Sequence, residues 1–270
     1  MTTVSGTPTY LATKNAHPRD EHITFEPGPH IYTVCGERGT YTSVTTWNHH
    51  HFSKFDADKI IDSMMRNPRN LNDPNWKYKG MTKEEIKKMW AENGASASGS
   101  GTKMHDDIEK YYNGMDVQND SIEFQYFHQF VRDHPELVAY RTEWMVYYEE
   151  LKISGSIDMV FENPDGTIQI YDWKRVKEIK NEDQYGKYAM TTCISHLPDT
   201  NFWHYALQLN VYKTILEHKY GKKVTDLYLV AIHPENQYKT YERIKVPFLD
   251  KELADLVQLR LQEVQGNNNH

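Results

Sequence analysis

The sequence predicts an α/β domain with a mixed central sheet, in which a helix, three strands, a second helix and a further strand follow one another. Three segments rich in β-branched and aromatic residues come close together at 142–148, 152–161 and 168–173. The Asp-Gly pair between the last two is typical of a hairpin turn. A helix is predicted over 202–220, and a glycine follows it directly. Helices that alternate with strands in this way indicate a sheet covered by helices.

The first hundred residues predict short strands followed by helices. Residues 22–46 alternate β-forming segments with turn signals, which indicates two or three strands. Apolar residues recur at helical spacing over 54–65, and Ser53 is a candidate N-cap. A longer helix is predicted over 81–112, and the glycines of its 94–101 stretch are expected to break or kink it.

The remaining segments supply further elements around the predicted sheet. Helical patterns occur at 121–132 and 249–264, and strand patterns at 227–232 and 240–246. The last of these helices has an apolar face and a polar face.

The composition excludes several classes of protein. Of the 270 residues, 38% are hydrophobic and 13% are aromatic, which fits a folded chain without a membrane span. Cys35 and Cys193 are far apart, which excludes a thiolate zinc site and a disulfide scaffold. The net charge of −7 argues against a non-specific nucleic-acid coat protein. We expect a soluble, intracellular protein, and no targeting signal is readable.

Two conspicuous motifs do not predict a site. The glycine-rich stretch differs from a Walker A loop because Ser100, and not lysine, follows Gly99. The consecutive histidines His49–His51 would point in different directions in a strand or in a helix. A polar loop is therefore favoured there over a metal site.

The segment 153–175 carries the residue types of a metal-dependent hydrolytic site. Asp158 lies in one predicted strand and Asp172 ends the next, so hairpin pairing brings both carboxylates to one end of the sheet. Asp172 and Lys174 are two residues apart and share a face of the strand. The two carboxylates suit Mg²⁺ or Mn²⁺, and the Trp173 carbonyl, between Asp172 and Lys174 in sequence, is a further candidate oxygen ligand. Lys174 is placed to stabilise charge that develops in the reaction.

The same residues allow a simpler interpretation, in which an exposed hairpin carries a surface Asp172–Lys174 ion pair without a catalytic role. Two features favour the site. The pair lies at the end of an apolar strand, where burial of a charged group costs stability unless the charge is paired or binds a metal. Gly155, shortly before Asp158, permits close approach of another segment.

Four blocks, in order, resemble the PD-(D/E)xK nuclease superfamily and, within it, the RecB-like exonuclease branch. GTKMHDDIE resembles a G-T-x-x-H-x-x-x-E helix, GSID a G-x-x-D block, YDWKR a D-x-K block and LQLNVY a Q-x-x-x-Y helix. SVTT at 43–46 is similar to the S-V-T that opens many of these domains, including those of mitochondrial genome maintenance exonucleases. The name-giving PD dipeptide is absent, since Ile157 precedes Asp158.

The resemblance implies a restriction-endonuclease-like core and a role for each matched residue. The implied catalytic residues are Asp158, Asp172 and Lys174. The implied metal ligands are His105, Asp158, Asp172 and the Trp173 carbonyl, with Glu143 as a further candidate. The implied substrate-binding residues are Gln208, Tyr212, Ser43, Thr45 and Arg175.

The resemblance also implies a function. It indicates a deoxyribonuclease with one or two Mg²⁺ or Mn²⁺ ions, most readily an exonuclease on single-stranded DNA or DNA ends in replication, recombination or repair. The cysteines that hold an iron–sulfur cluster in some members are missing, so no cluster is expected. Helicase motifs are absent as well, so a helicase or replication protein would be a separate chain.

Two alternatives remain open. A cap-snatching RNA endonuclease shares the H…D…D-x-K order but does not normally carry the Q-x-x-x-Y helix. A catalytically silent nuclease fold would act as a DNA-binding scaffold. For the deoxyribonuclease that the resemblance implies, we expect a flexible arm at 1–20, an extension over 21–100 that forms part of the substrate channel, and a nuclease core with a C-terminal helix over 101–270.

Overall fold

The computed structural model describes residues 9–183 and 186–267, which fall into two compact units. The first unit contains residues 1–53 and 104–270, and the second contains residues 54–103. The second unit thus ends at residue 103, and the division expected at residues 20 and 100 stays a prediction. Residues 9–53, which precede the second unit in the sequence, belong to the first unit by their contacts.

The segment expected to form an arm contains two short helices. Residues 1–8 lie outside the described residues, and α1 (Tyr10–Lys14) and a 3-10 helix (Pro18–His22) follow them. The Asp20 carboxylate accepts a hydrogen bond of 2.7 Å from the Arg141 guanidinium on a central strand. The described part of this segment is thus packed onto the first unit.

A small antiparallel sheet follows, in agreement with the short strands predicted here. It consists of β1 (Ile23–Glu26), β2 (Ile31–Val34) and β3 (Glu37–Arg38). The next elements are β4 (Thr42–Ser43), which belongs to the central sheet, and α2 (Val44–His49). The predicted β structure does not continue to Thr46. The Ser43 hydroxyl accepts the Thr46 N–H at 3.1 Å and begins α2 as its N-cap.

The central sheet is mixed, as predicted. Its other strands are β5 (Val138–Tyr148), β6 (Ile153–Glu162), β7 (Ile168–Lys174), β8 (Val224–Ala231) and β9 (Glu242–Val246). Among the described residues the strand order is β4, β6, β7, β8, β9, and β5 also pairs with β6. β4 runs parallel to β6 and β7 parallel to β8, whereas β5–β6, β6–β7 and β8–β9 are antiparallel.

Helices cover both faces of this sheet. They are α6 (Ile122–Asp133), α7 (Asn201–Lys219) and α8 (Asp250–Asn267), together with the end of α5 (Lys83–Tyr112). Ile170 of β7 shares a buried apolar cluster with Leu209 of α7. Trp173 of β7 shares another with Phe127 and Phe130 of α6. The predicted order of helix, three strands, helix and strand is confirmed. No helix in the described part of the chain is both long and apolar enough to cross a membrane.

Helix α5 (Lys83–Tyr112) continues without a break through the glycine-rich stretch 94–101. The predicted break is wrong because a glycine in a helix interior costs only about 1 kcal/mol relative to alanine. Both ends of the helix are stabilised. The Glu85 carboxylate accepts the Thr82 N–H at 2.7 Å at the start, and Ile108 is buried near the end.

The second unit consists of α3 (Ala57–Arg66), α4 (Pro68–Asn72) and the first part of α5. Helix α3 begins later than its apolar pattern predicts. Its N-cap is Asp56 and not Ser53, since the Asp56 carboxylate accepts the Lys59 N–H at 3.0 Å.

Candidate active site

Three carboxylates are neighbours because of how β5, β6 and β7 pair. The antiparallel register of β5 and β6 places Glu143 opposite Asp158. The register of β6 and β7, extended by one position, places Asp158 opposite Asp172, as the hairpin predicted. The Trp173 N–H donates a hydrogen bond of 3.0 Å to Oδ2 of Asp158, which fixes that carboxylate at the edge between the two strands.

His105 on α5 reaches the same point. Its Nδ1 lies 3.5 Å from Oδ2 of Asp158 and 3.7 Å from Oε1 of Glu143. Its Nε2 lies 2.9 Å from the carbonyl oxygen of Trp173. One potential ligand atom from each of His105, Glu143 and Asp158 lies within 4.8 Å of the other two. The histidine therefore joins the strand carboxylates, as the resemblance implied.

This donor set fits a divalent cation. Two ligand atoms that bind one ion at about 2.0–2.2 Å lie at most about 4.4 Å apart, and the distances of 3.5 and 3.7 Å from the His105 Nδ1 meet this limit. A metal-binding histidine commonly donates its other ring N–H to a backbone carbonyl, which sets the tautomer and leaves the first nitrogen free. The Trp173 carbonyl occupies that position beside His105. The Trp173 carbonyl, which the resemblance implied as a metal ligand, thus orients His105. Its oxygen keeps a second lone pair that is free to bind a cation.

Lys174 lies between a carboxylate and an aromatic ring. Its Nζ is 2.6 Å from Oδ2 of Asp172 and 4.7 Å from the ring centroid of Tyr205 on α7. The Asp172 side chain is only 3% exposed, so the Asp172–Lys174 pair is not a surface ion pair. Asp172 pairs with Lys174 and is not one of the three clustered donors.

The pKa values show that negative charge is crowded here. Burial raises the pKa of Asp172 to about 6; the Lys174 ammonium opposes this shift and the Asp158 charge adds to it. Burial also raises the pKa of Asp158. Burial alone would lower the pKa of His105, but the Asp158 and Glu143 carboxylates outweigh it and raise that pKa to about 9. A bound cation would relieve this repulsion, and clustered shifts of this kind are typical of functional sites.

Comparison with known protein families identifies the superfamily of this chain. The family model of the PD-(D/E)XK nuclease superfamily matches residues 55–268. The chain belongs to this superfamily. It is also similar to a solved structure from Eubacterium rectale named "Putative exonuclease", with 14% identity and a TM-score of 0.28 over 60% of this chain and 74% of that one. No curated protein sequence matches it.

Two polar contacts of this superfamily member were not predicted from the motifs. Ser156 donates a hydrogen bond of 2.9 Å to Oε2 of Glu143, and Tyr205 faces Lys174. Ser156 lies two residues before Asp158 on the same strand, so strand periodicity could have predicted that the two side chains share a face. Glu143 has a φ of +40°, an uncommon conformation for a residue other than glycine. No local pattern indicates that backbone conformation.

The G-x-x-D and Q-x-x-x-Y blocks meet at Gly155. A Cβ atom at Gly155 would lie 2.8 Å from the Tyr212 hydroxyl and 3.1 Å from Cγ2 of Val44. The glycine is therefore needed for close approach, as the sequence indicated. Tyr212 is buried, and the nearby Gln208 side chain, one turn earlier on α7, partly offsets the rise in the Tyr212 pKa that burial causes. Tyr212 thus packs against the strand that carries Asp158.

The other expected substrate-binding residues lie outside the cluster of potential metal ligands. The Ser43 hydroxyl caps α2 and Thr45 is exposed on that helix. The Arg175 guanidinium lies 2.6 Å from Oε1 of Glu123 on α6. The Arg175 guanidinium could therefore contact a phosphate only while it also pairs with Glu123 or after it leaves that carboxylate. Its role in substrate binding stays a prediction.

Proposed function

We propose that this member of the superfamily is a Mg²⁺- or Mn²⁺-dependent deoxyribonuclease. The observation that carries the proposal is the convergence of His105, Glu143 and Asp158 beside the buried Asp172–Lys174 pair. Neither a surface hairpin nor a purely structural ion pair needs an imidazole and three carboxylates at one point. The buried negative charge costs stability unless a cation compensates for it.

The residues of the chain have distinct roles in this proposal. His105, Glu143 and Asp158 would hold the ion, and Asp172 would join them or hold a second one. The bound ion would supply a Lewis acid that neutralises phosphate charge and lowers the pKa of a water. The Lys174 ammonium, positioned by Asp172 and Tyr205, stabilises the negative charge that develops on the phosphate.

We further infer an exonuclease of the RecB-like branch that acts on single-stranded DNA or DNA ends in replication, recombination or repair. The Gln208–Tyr212 pair supports this branch, since the cap-snatching alternative does not normally carry it. The resemblance of SVTT at 43–46 to mitochondrial genome maintenance exonucleases adds to that support.

The test is digestion of DNA and RNA oligonucleotides labelled at the 5′ or the 3′ end, single-stranded or duplex, with Mg²⁺ or Mn²⁺. The proposal predicts a ladder that shortens single-stranded DNA from one end, and no ladder from an Asp172→Asn variant purified in parallel. Internal cuts in RNA alone would support the cap-snatching alternative. Absence of cleavage with retained DNA binding would support the silent scaffold.

A further inference from the structure

The second unit differs in charge from the rest of the chain. Residues 54–103 contain ten lysines and arginines and seven aspartates and glutamates, which is a net charge of +3. The whole chain carries −7, so the remainder carries −10. A polyanion is therefore attracted to the second unit and repelled by the average charge of the remainder.

Some cations of this unit are already neutralised and others are not. Lys83 lies 3.0 Å from Asp58 and 2.9 Å from Asp62, and Lys87 lies 2.9 Å from Asp58. Lys54, Lys77 and Lys79 are exposed and form no ion pair within the described chain. These three flank aromatic residues in the sequence, at Lys54–Phe55 and in the run Trp76 to Lys79.

The aromatic side chains of the unit form one connected group, the aromatic cluster, which consists of Phe55, Trp76, Tyr78 and Trp90. Neighbouring ring centroids lie 5.9 Å apart for Phe55–Trp90, 6.2 Å for Tyr78–Trp90 and 5.8 Å for Trp76–Tyr78. The Trp90 indole N–H donates a hydrogen bond of 2.9 Å to the Tyr78 hydroxyl. The Lys77 ammonium lies 5.3 Å from the centroid of the Tyr78 ring.

Burial of apolar surface does not explain the whole cluster. Ile61 and Ile86 are buried within the unit, whereas Phe55 is 72% exposed, more than any other large apolar residue among those described. An aromatic ring that is held in place by a neighbour and open to solvent is a stacking surface for an unpaired base. The adjacent free lysines supply the matching contacts for phosphates.

We propose that the aromatic cluster, with Lys54, Lys77 and Lys79, binds single-stranded nucleic acid by base stacking and phosphate contacts. The proposal rests on the proposed function for the class of substrate, but none of its residues belongs to the candidate active site. Duplex nucleic acid does not fit, because its bases are already stacked on one another and are not available to the exposed ring.

The test measures fluorescence anisotropy of labelled oligothymidine, oligouridine and a duplex with the full-length protein in Ca²⁺, over a series of salt concentrations. We expect Phe55→Ala to weaken single-strand binding by about tenfold, and Phe55→Trp to stay within about twofold of the parent. Lys77→Gln lowers the slope of log K against log salt by about 0.7. The matched controls are Leu71→Ala, at a side chain 58% exposed in the same unit, and Lys87→Gln, at a paired lysine.

The outcomes separate clearly. A loss with both oligonucleotides supports a surface for either nucleic acid, and a loss with one alone supports a surface for that one. The proposal is overturned if Phe55→Ala binds single strands like Leu71→Ala, if duplex binding falls equally, or if Lys77→Gln and Lys87→Gln have the same salt slope. Since Phe55→Trp keeps a large aromatic ring, its retained binding shows that the loss comes from the ring and not from misfolding.

Hydrolysis of the p-nitrophenyl ester of thymidine 5′-phosphate with Mn²⁺ reports on the candidate active site alone. A parent that does not cleave the ester, combined with weakened binding by Phe55→Ala, contradicts the proposed function and leaves the binding surface supported. A parent that cleaves the ester, combined with unchanged binding by Phe55→Ala, contradicts the surface and leaves the proposed function supported.

Discussion

The imidazole of His105 faces two carboxylates, and this placement determines which proton leaves when a cation binds. Because Asp158 and Glu143 raise its pKa to about 9, His105 carries a proton in neutral solution. An imidazole binds metal only in its neutral form, so binding at roughly pH 8 releases this proton, and affinity increases as pH rises toward the raised pKa. Glu109, whose pKa burial raises to about 7, is already largely ionised at that pH.

Mn²⁺ calorimetry at this pH, in buffers of different ionisation enthalpy, measures the release. We expect about one proton per ion for the parent and close to none for His105→Gln. If parent and variant release the same number of protons, His105 is not a ligand.

At the scale of elements, the contact between β6 and α7 depends on one glycine. A Cβ at Gly155 would lie 2.8 Å from the Tyr212 hydroxyl, so Gly155→Ala should destabilise the protein by about 1–3 kcal/mol. Gly94 lies inside α5 with no atom within 4 Å of a built Cβ, so Gly94→Ala should stabilise it by about 1 kcal/mol. Urea unfolding followed by circular dichroism compares the two, and equal effects would contradict the close approach at Gly155.

The strands of the site could be predicted because their signals are local. Alternating side chains and an Asp-Gly turn define the β6–β7 hairpin, and the hairpin alone brings Asp158 opposite Asp172. The continuity of α5 could not be predicted in the same way. Helix propensity counts the cost of its glycines, but the packing that holds its far end, at Ile108, depends on residues distant in sequence.

The finer geometry of the site also depends on distant residues. The hydrogen bond between His105 and the Trp173 carbonyl joins positions 68 residues apart, and no motif contains both. The same is true of Tyr205 and Lys174, which come from α7 and β7. The motifs therefore predicted which residues belong to the candidate site. The contacts between these residues could be seen only in the folded chain.

For the whole molecule, the account predicts that a cation stabilises the fold. Metal that binds only the native state adds RT ln(1 + [L]/Kd), about 2.7 kcal/mol at a hundred times Kd. We expect Mn²⁺ to raise the melting temperature of the parent relative to a sample in chelator. Asp158→Asn should show little such increase, while its metal-free form should melt no lower than the metal-free parent, because a buried charge is removed. An equal increase in parent and variant would place the ion elsewhere.

The most direct test of the central claim is single-turnover DNA cleavage by Lys174→Ala, measured beside DNA binding in Ca²⁺. The ammonium lies 2.6 Å from Asp172, and as a cation without a lone pair it does not bind the metal. Its removal should leave DNA affinity within a small factor and slow cleavage by about a hundredfold or more. Cleavage within about threefold of the parent would contradict the assignment of this cluster as the active site of a nuclease.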